Sequence, residues 1–189
     1  MKHRGLLVPI AAPSGTGKTT VCRALLERHP DYAFSVSLTT REPRRNERDG
    51  VDYHFVSKQN FEENVRLQEL AEWEQVFDNY YGTLKSALQA ALAADQVMLF
   101  DIDVKGAGRI KNLYPEDTIT IFLLPPNEEE LNRRLRLRGT ETRESISIRQ
   151  ARIPDELKLG ENFDYHIVND KLDETVNQIN KIIEERIAA

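Results

Sequence analysis

The chain holds a single cysteine, Cys22, among 189 residues, with no excess of positive charge and no long apolar run. One cysteine has no partner for an internal disulfide and cannot build a cysteine-ligated metal site, so the chain fits a reducing compartment and is expected in the cytoplasm. A net charge of -5 argues against a nucleic-acid polymer as partner. The apolar stretches are too short to span a membrane, so no membrane partner is expected either. Lys2, His3 and Arg4 ahead of Leu6 to Ala12 faintly resemble a secretion signal, but cleavage there would cut into the motif that follows, and a buried first strand is the better reading. Repeats and low-complexity tracts are also missing. What is there, 40% hydrophobic and 30% charged residues, suits one globular domain with its own core.

The most informative run is Ala12-Pro13-Ser14-Gly15-Thr16-Gly17-Lys18-Thr19, directly after the apolar stretch Leu6 to Ala11. It has the form of a phosphate-binding loop, with Ala12 where the first glycine of the pattern usually stands, a change a small residue tolerates if its φ is negative. Gly15 and Gly17 allow successive backbone N–H groups to turn toward phosphate oxygens at the start of a helix. Lys18 is then placed for the β- and γ-phosphates, and the Thr19 hydroxyl for Mg²⁺. Val21, Leu25 and Leu26 give the following segment one apolar helical face, which is the context the motif requires. Pro9 fits poorly in an interior strand, and a local bulge is expected there.

Strand-like runs recur at Leu6 to Ala11, Phe34 to Leu38, Val97 to Ile102, Ile119 to Leu124 and His166 to Val168. Helical patterns lie at Thr19 to Arg28, Phe61 to Leu70, Leu84 to Ala93, Glu128 to Arg138 and Leu172 to Ile187. This alternation predicts an α/β fold with a parallel sheet. Two segments do not read as scaffold. Thr39 to Phe55 is crowded with Arg41, Arg44, Arg45 and Arg48, and Arg133 to Arg152 carries seven arginines in an acidic protein. Singly, each arginine can be an exposed ion-pair partner of a nearby glutamate. As sets they suggest anionic ligands, because a transfer enzyme needs cations at an acceptor site as well as at the donor.

The chain resembles the guanylate kinase family over essentially its whole length. The resemblance rests on Phe34-Ser-Val-Ser37, Thr39-Thr-Arg41-Glu-Pro-Arg44, Asp49-Gly-Val-Asp-Tyr53-His-Phe55, Glu72-Trp73, Asn79-Tyr-Tyr-Gly-Thr83, Asp101-Ile-Asp103-Val-Lys-Gly106, Arg138-Gly-Thr140 and Ile167-Val-Asn-Asp170, in that order. It implies one domain over about 4–184, a phosphate-loop kinase fold with its core in about 4–34, 84–126 and 158–189. A GMP-binding segment over about 35–83 and a lid over about 127–157 complete it. The reaction implied is ATP-dependent phosphorylation of GMP, and of dGMP, to the diphosphate, with ATP and GMP as partners and Mg²⁺ as cofactor. A homodimer is left open.

The resemblance also assigns roles. Residues 12–19 and Asn169 fall in the ATP site. Arg41, Arg44, Tyr53 and Tyr81 match the groups that hold the acceptor phosphate, and their guanidinium forks and phenolic donors suit a dianion. Ser37, Glu72 and Thr83 match the guanine-reading residues, with Asp103 close to the base. An ionised carboxylate only accepts hydrogen bonds, and guanine offers adjacent N1–H and N2–H₂ donors that adenine lacks. Lys18, Arg41, Arg138 and Arg149 carry the catalytic charge stabilisation, and Asp101 is expected to orient Mg²⁺ through water. Taken alone, Glu72 could be one more charge on a helix face, and Tyr80 and Tyr81 could be core aromatics.

Some positions depart from the family pattern. Asn46 and Asp78 replace small residues, the first of them a glycine, and Asn46 can adopt the left-handed conformation if that is needed. Beyond Arg149, Gln150, Arg152 and Pro154 break an otherwise apolar helical face, and Pro154 is expected to kink the lid. Two rival readings remain: a protein-binding module that has lost catalysis, and a phosphate-loop kinase of another phosphorylated metabolite. Lys18, Thr19, Ser37 and Arg41 speak against the first, Glu72 and Ser37 against the second.

Overall fold

Strand β1 (Leu6–Ala11) is buried at all six positions, because helices cover both faces of the sheet that it centres. The structure is a computed structural model that describes residues 5–76, 78–137 and 143–188, with the backbone alone at 132, 135–137, 143–150 and 152. Five strands form the main sheet: β1, β2 (Ala33–Phe34), β7 (Val97–Asp101), β8 (Ile121–Leu124) and β9 (Tyr165–Val168). Their order is β2-β7-β1-β8-β9, and every pair is parallel. Strands buried on both faces read as continuous apolar runs, which is why Leu6 to Ala11 shows no alternation. Leu6, Val8 and Ile10 pack under α1 (Lys18–Arg28) and α7 (Leu172–Ala188), while Leu7 and Ala11 meet α3 (Lys85–Ala93) and α4 (Val104–Leu113).

The second sheet was not legible as strands. It comprises β3 (Leu38–Thr39), β4 (His54–Phe55), β5 (Leu70–Val76) and β6 (Asn79–Leu84), in the order β4-β3-β6-β5. The run Phe34 to Leu38 is therefore not one strand. Its start pairs with β7 in the main sheet, and Leu38 and Thr39 pair with β6 and β4 in the small one. The helix expected over Phe61 to Leu70 is α2 (Lys58–Arg66), which starts earlier because the Ser57 hydroxyl accepts from the Asn60 amide. It stops before Leu70 because Gln68 is left-handed, φ 57°, and turns the chain into β5. Helix α4, unrecognised in sequence because two glycines dilute its pattern, is capped by Asp103.

Pro9 is accommodated without the expected bulge. Leu7 donates to the Asp117 carbonyl and accepts from the Ile119 amide, so Leu7 and, two residues on, Pro9 face β8. Pro9 has no N–H to offer on that side. Pairing with β8 lapses there accordingly, between the Leu7–Thr118 bridge and the ladder from Ile10–Ile121, and resumes in the same register. Pairing with β7 runs unbroken from Leu6 to Ile10.

Two helices, α5 (Glu128–Leu137) and α6 (Arg143–Gly160), follow β8. Helix α6 runs through Pro154 rather than ending there. A proline removes one intrahelical bond, which the turns on either side withstand. Asn46 has no need of left-handed geometry, since the non-glycine residues with positive φ among those described are Gln68 and Asp95. Ala12 likewise has negative φ, the condition its substitution for glycine requires.

Candidate active site

The loop between β1 and α1 lies at the carboxyl end of the central strand, where open parallel sheets leave their binding crevice. Gly15 and Gly17 take φ of 94° and 101°, which residues with a Cβ adopt only under strain. At Gly17 a Cβ would also sit 2.8 Å from Asn169 Nδ2. The fold of the loop is held from behind. The Thr16 carbonyl accepts from Asn169 Nδ2 at 2.7 Å and from Arg134 Nη1 at 3.1 Å, and Arg134 Nη1 also reaches the Asn169 carbonyl at 3.0 Å. Helix α1 carries no acidic residue in its first turn, so its positive end is left for an anion.

Asp101 ends β7 beside β1, in register with Ile10. Its carboxylate takes the Thr19 hydroxyl at 2.5 Å and lies 3.0 Å from Lys18 Nζ, which also donates to the Ile102 carbonyl at 2.6 Å. Lysine, hydroxyl and carboxylate thus meet at the mouth of the loop. A hydroxyl and a carboxylate oxygen are the hard donors that Mg²⁺ takes when phosphate oxygens and waters complete its shell. The residues present therefore fit that ion.

A cavity of about 380 Å³ runs from this loop to the small sheet, where Ser37, Tyr53, Glu72, Tyr81 and Asp103 line it. Glu72 lies on strand β5, not on a helix, and is only 6% exposed. Its cross-strand partner Thr83 donates its hydroxyl to Glu72 Oε1 at 2.6 Å. Burial pushes the Glu72 carboxyl up to about 7, against the pull of the Thr83 hydroxyl, and the nearby Asp103 charge pushes it the same way. Asp103 Oδ1 accepts from the Gly106 amide at 2.9 Å and so caps α4. Neighbouring strand positions divide the tyrosines: Tyr80 stacks on Phe61 with centroids 5.4 Å apart and joins the small sheet's core, while Tyr81 faces the cavity.

Arg41 stands beside Tyr53 and Tyr81. Its Nη2 is 2.9 Å from Glu47 Oε1, its Nε donates to the Tyr81 hydroxyl at 3.3 Å, and its guanidinium lies over the Tyr53 ring at 5.4 Å. The hydrogen bond with Glu47 raises the Arg41 pKa and holds the Glu47 carboxyl below its ordinary range. Arg44 is exposed, and its backbone N–H rather than its side chain is engaged, by Glu47 Oε2 at 2.8 Å.

The structure thus gathers residues 12–19, Ser37, Tyr53, Glu72, Tyr81, Asp101 and Asp103 around one cavity. Thr83 supports it from behind Glu72, and Asn169 from behind the loop. Arg138 lies outside the described residues, and Arg149 is described only as backbone of α6. Sequence reading missed Arg134 and Glu47 as working parts, because each looks like an ordinary ion-pair partner. Arg134 does pair with Glu130 one turn away, and that pairing hides its second contact with the loop.

A family model described as guanylate kinase matches residues 4–186. A guanylate kinase of Zymomonas mobilis is 45% identical over 183 residues, covering 97% of this chain and 85% of the relative. One from Anaeromyxobacter dehalogenans is 46% identical over 180 residues, covering 95% and 80%. The crystal structure of guanylate kinase from Anaplasma phagocytophilum superposes with a TM-score of 0.80 at 32% identity, over 100% of this chain and 89% of that one. A gluconokinase from Sinorhizobium meliloti, 16% identical with a TM-score of 0.50, covering 97% of each chain, shares the fold alone.

Proposed function

The chain belongs to the guanylate kinase family and is an ATP:GMP phosphotransferase, and we propose that its phosphate loop holds ATP while Glu72 selects the base of GMP across the same cavity. One observation carries the assignment of residues: a phosphate loop and a buried, hydrogen-bonded carboxylate line a single cavity. Ionised Glu72 accepts from guanine N1–H and N2–H₂, and adenine, with an unprotonated N1 and no 2-amino group, leaves that carboxylate unpaired. Asp103 adds a second carboxylate on the base side, Ser37 completes the polar wall, and the Thr83 hydroxyl holds Glu72 from behind.

The acceptor phosphate is held by Arg41, Tyr53 and Tyr81, with Arg44 brought in from its exposed loop. A GMP phosphate oxygen then attacks the γ-phosphorus of ATP as the bond to the β-phosphate oxygen breaks, giving ADP and GDP without a covalent enzyme intermediate. Lys18 and the amides at the start of α1 stabilise charge on the donor phosphates. Thr19 and Asp101 would hold Mg²⁺, which would supply charge neutralisation for the donor phosphates when bound. Arg138 and Arg149 close over the transferred group as parts of a lid across about 127–157, and closure excludes water that would otherwise accept the phosphoryl.

In this reading residues of about 35–83 form the GMP-binding segment, and dGMP is also accepted. The partners are nucleotides rather than a nucleic-acid polymer or a membrane. Net charge of -5 supports the first point, and among the described residues no helix is long and apolar enough to cross a membrane. Cytoplasmic placement is supported by Cys22, the lone cysteine of the sequence, which has no partner for an internal disulfide. The test is a coupled ADP-release assay with GMP, dGMP, AMP, CMP and UMP. Preference for the two guanine nucleotides is expected, and comparable turnover of AMP would overturn the base-site assignment.

A further inference from the structure

Gly106 touches both carboxylates of the base-facing wall. Its N–H donates to Asp103 Oδ1 at 2.9 Å, which fixes that side chain on the first turn of α4. Its bare Cα faces the other acid, and a Cβ built there would lie 3.0 Å from Glu72 Oε2. The same Cβ would come within 2.8 Å of Ile102 Cδ1, so the slot is closed on the core side as well. The φ of Gly106 is not positive, so backbone conformation does not call for glycine here. Nor does helix stability, since glycine inside a helix costs roughly 1 kcal/mol against alanine. What glycine supplies is room for two neighbours at once, the Ile102 side chain and a buried oxygen of Glu72. Gly108, two residues on in the same helix, has nothing within 4 Å of a built Cβ.

We propose that Gly106 is a positioning residue for base selection: it sets the spacing of the Glu72 and Asp103 carboxylates, anchoring one by its amide and admitting the other by its missing side chain. The proposal rests on the reading that these two acids face guanine. A Cβ at 106 pushes Glu72 toward the cavity, off the line to N1–H and N2–H₂, while the phosphate loop and its lysine stay where they are. Displacements on the scale of an ångström cost about a hundredfold in aligned systems, so the effect belongs on GMP and not on ATP.

The experiment is a double-mutant cycle of Gly106→Ala and Glu72→Ala, with Gly108→Ala as control, read by steady-state kcat and KM for GMP, ATP and AMP. Gly106→Ala is expected to raise the GMP KM by about ten- to a hundredfold and narrow the GMP/AMP ratio of kcat/KM, with the ATP KM within about twofold. Gly108→Ala should match the parent. In the Glu72→Ala background, where Oε2 is gone, Gly106→Ala should add nothing to the GMP KM. Additive effects, or an unchanged GMP KM in Gly106→Ala, overturn the proposal while leaving the base site standing. Unchanged GMP/AMP preference in Glu72→Ala removes the base-site reading and the proposal together. Should Gly106→Ala fold poorly, the readout is Tm: a rise on adding Glu72→Ala larger than Glu72→Ala gives in the parent supports the proposal, and an equal or smaller rise assigns the crowding to Ile102 and overturns it.

Discussion

Arg41 is held by Glu47, with Nη2 2.9 Å from Oε1, while the other Glu47 oxygen accepts the Arg44 amide at 2.8 Å. One carboxylate therefore fixes both the guanidinium and the loop that carries its neighbour. Glu47→Ala frees Arg41 to sample other rotamers, and GMP then bears the ordering cost. The GMP KM should rise about tenfold, the lower range for a charged hydrogen bond, with kcat changing less. Unaltered GMP saturation curves would show that the ion pair does not organise the acceptor site.

Lys18 lies 3.0 Å from Asp101 and donates to the Ile102 carbonyl, so its ammonium is held at the carboxyl end of β7, beside the mouth of the phosphate loop. Lys18→Met should remain folded by circular dichroism and lose about three orders of magnitude in GMP phosphorylation. Activity within tenfold of the parent would end its catalytic assignment.

Buried Glu72, with its carboxyl near 7, must be ionised to accept from both guanine donors. As pH falls from about 8 to about 6, the ionised fraction drops about tenfold, and the apparent GMP affinity with it. GMP's own phosphate titrates in the same range, so the comparison is with Glu72→Gln, in which the extra tenfold rise in KM should vanish. Parallel pH profiles for the two proteins would contradict this.

The same shift bears on stability. Glu72 titrates near 4.5 when unfolded and near 7 when folded, so its favourable contribution is full below about pH 4.5 and is lost as pH rises through about 7. At pH 8 the buried charge costs up to about 3 kcal/mol. Glu72→Gln should thus raise Tm at pH 8 by several degrees and change it little at pH 5, even as it damages GMP use. Equal shifts at both pH values would place the effect elsewhere.

Arg134 ties helix α5 to the phosphate loop through the Thr16 carbonyl and to the end of β9 through the Asn169 carbonyl. Arg134→Met removes both hydrogen bonds and should raise the ATP KM about tenfold, with the GMP KM nearly constant. Isothermal titration with a non-hydrolysable ATP analogue checks this in the absence of turnover. An unchanged affinity would reduce Arg134 to a partner of Glu130.

The phosphate loop and the parallel core were legible because they rest on local demands. Gly15 and Gly17 announce left-handed φ, and an unbroken apolar run announces a strand buried on both faces. The small sheet was hidden because β5 buries Leu70, Ala71 and Glu72 in succession and leaves Trp73 exposed, so no apolar alternation shows, and β3 and β4 are two residues each, too short for any period to show. Pro9 needed its neighbours too, since only the pairing of Leu7 tells which side its missing donor faces.

Charged side chains divide differently. In the sequence, Glu72, Glu47 and Arg134 are three charges among many, and motif resemblance alone lifts Glu72 above the rest. Tertiary structure decided that Glu72 is buried on a strand against Thr83, that Glu47 closes on Arg41, and that Arg134 reaches a carbonyl 118 residues away in the chain. Backbone conformation is written largely by a residue and its neighbours, whereas the protonation and partner of a charge depend on what the fold packs around it.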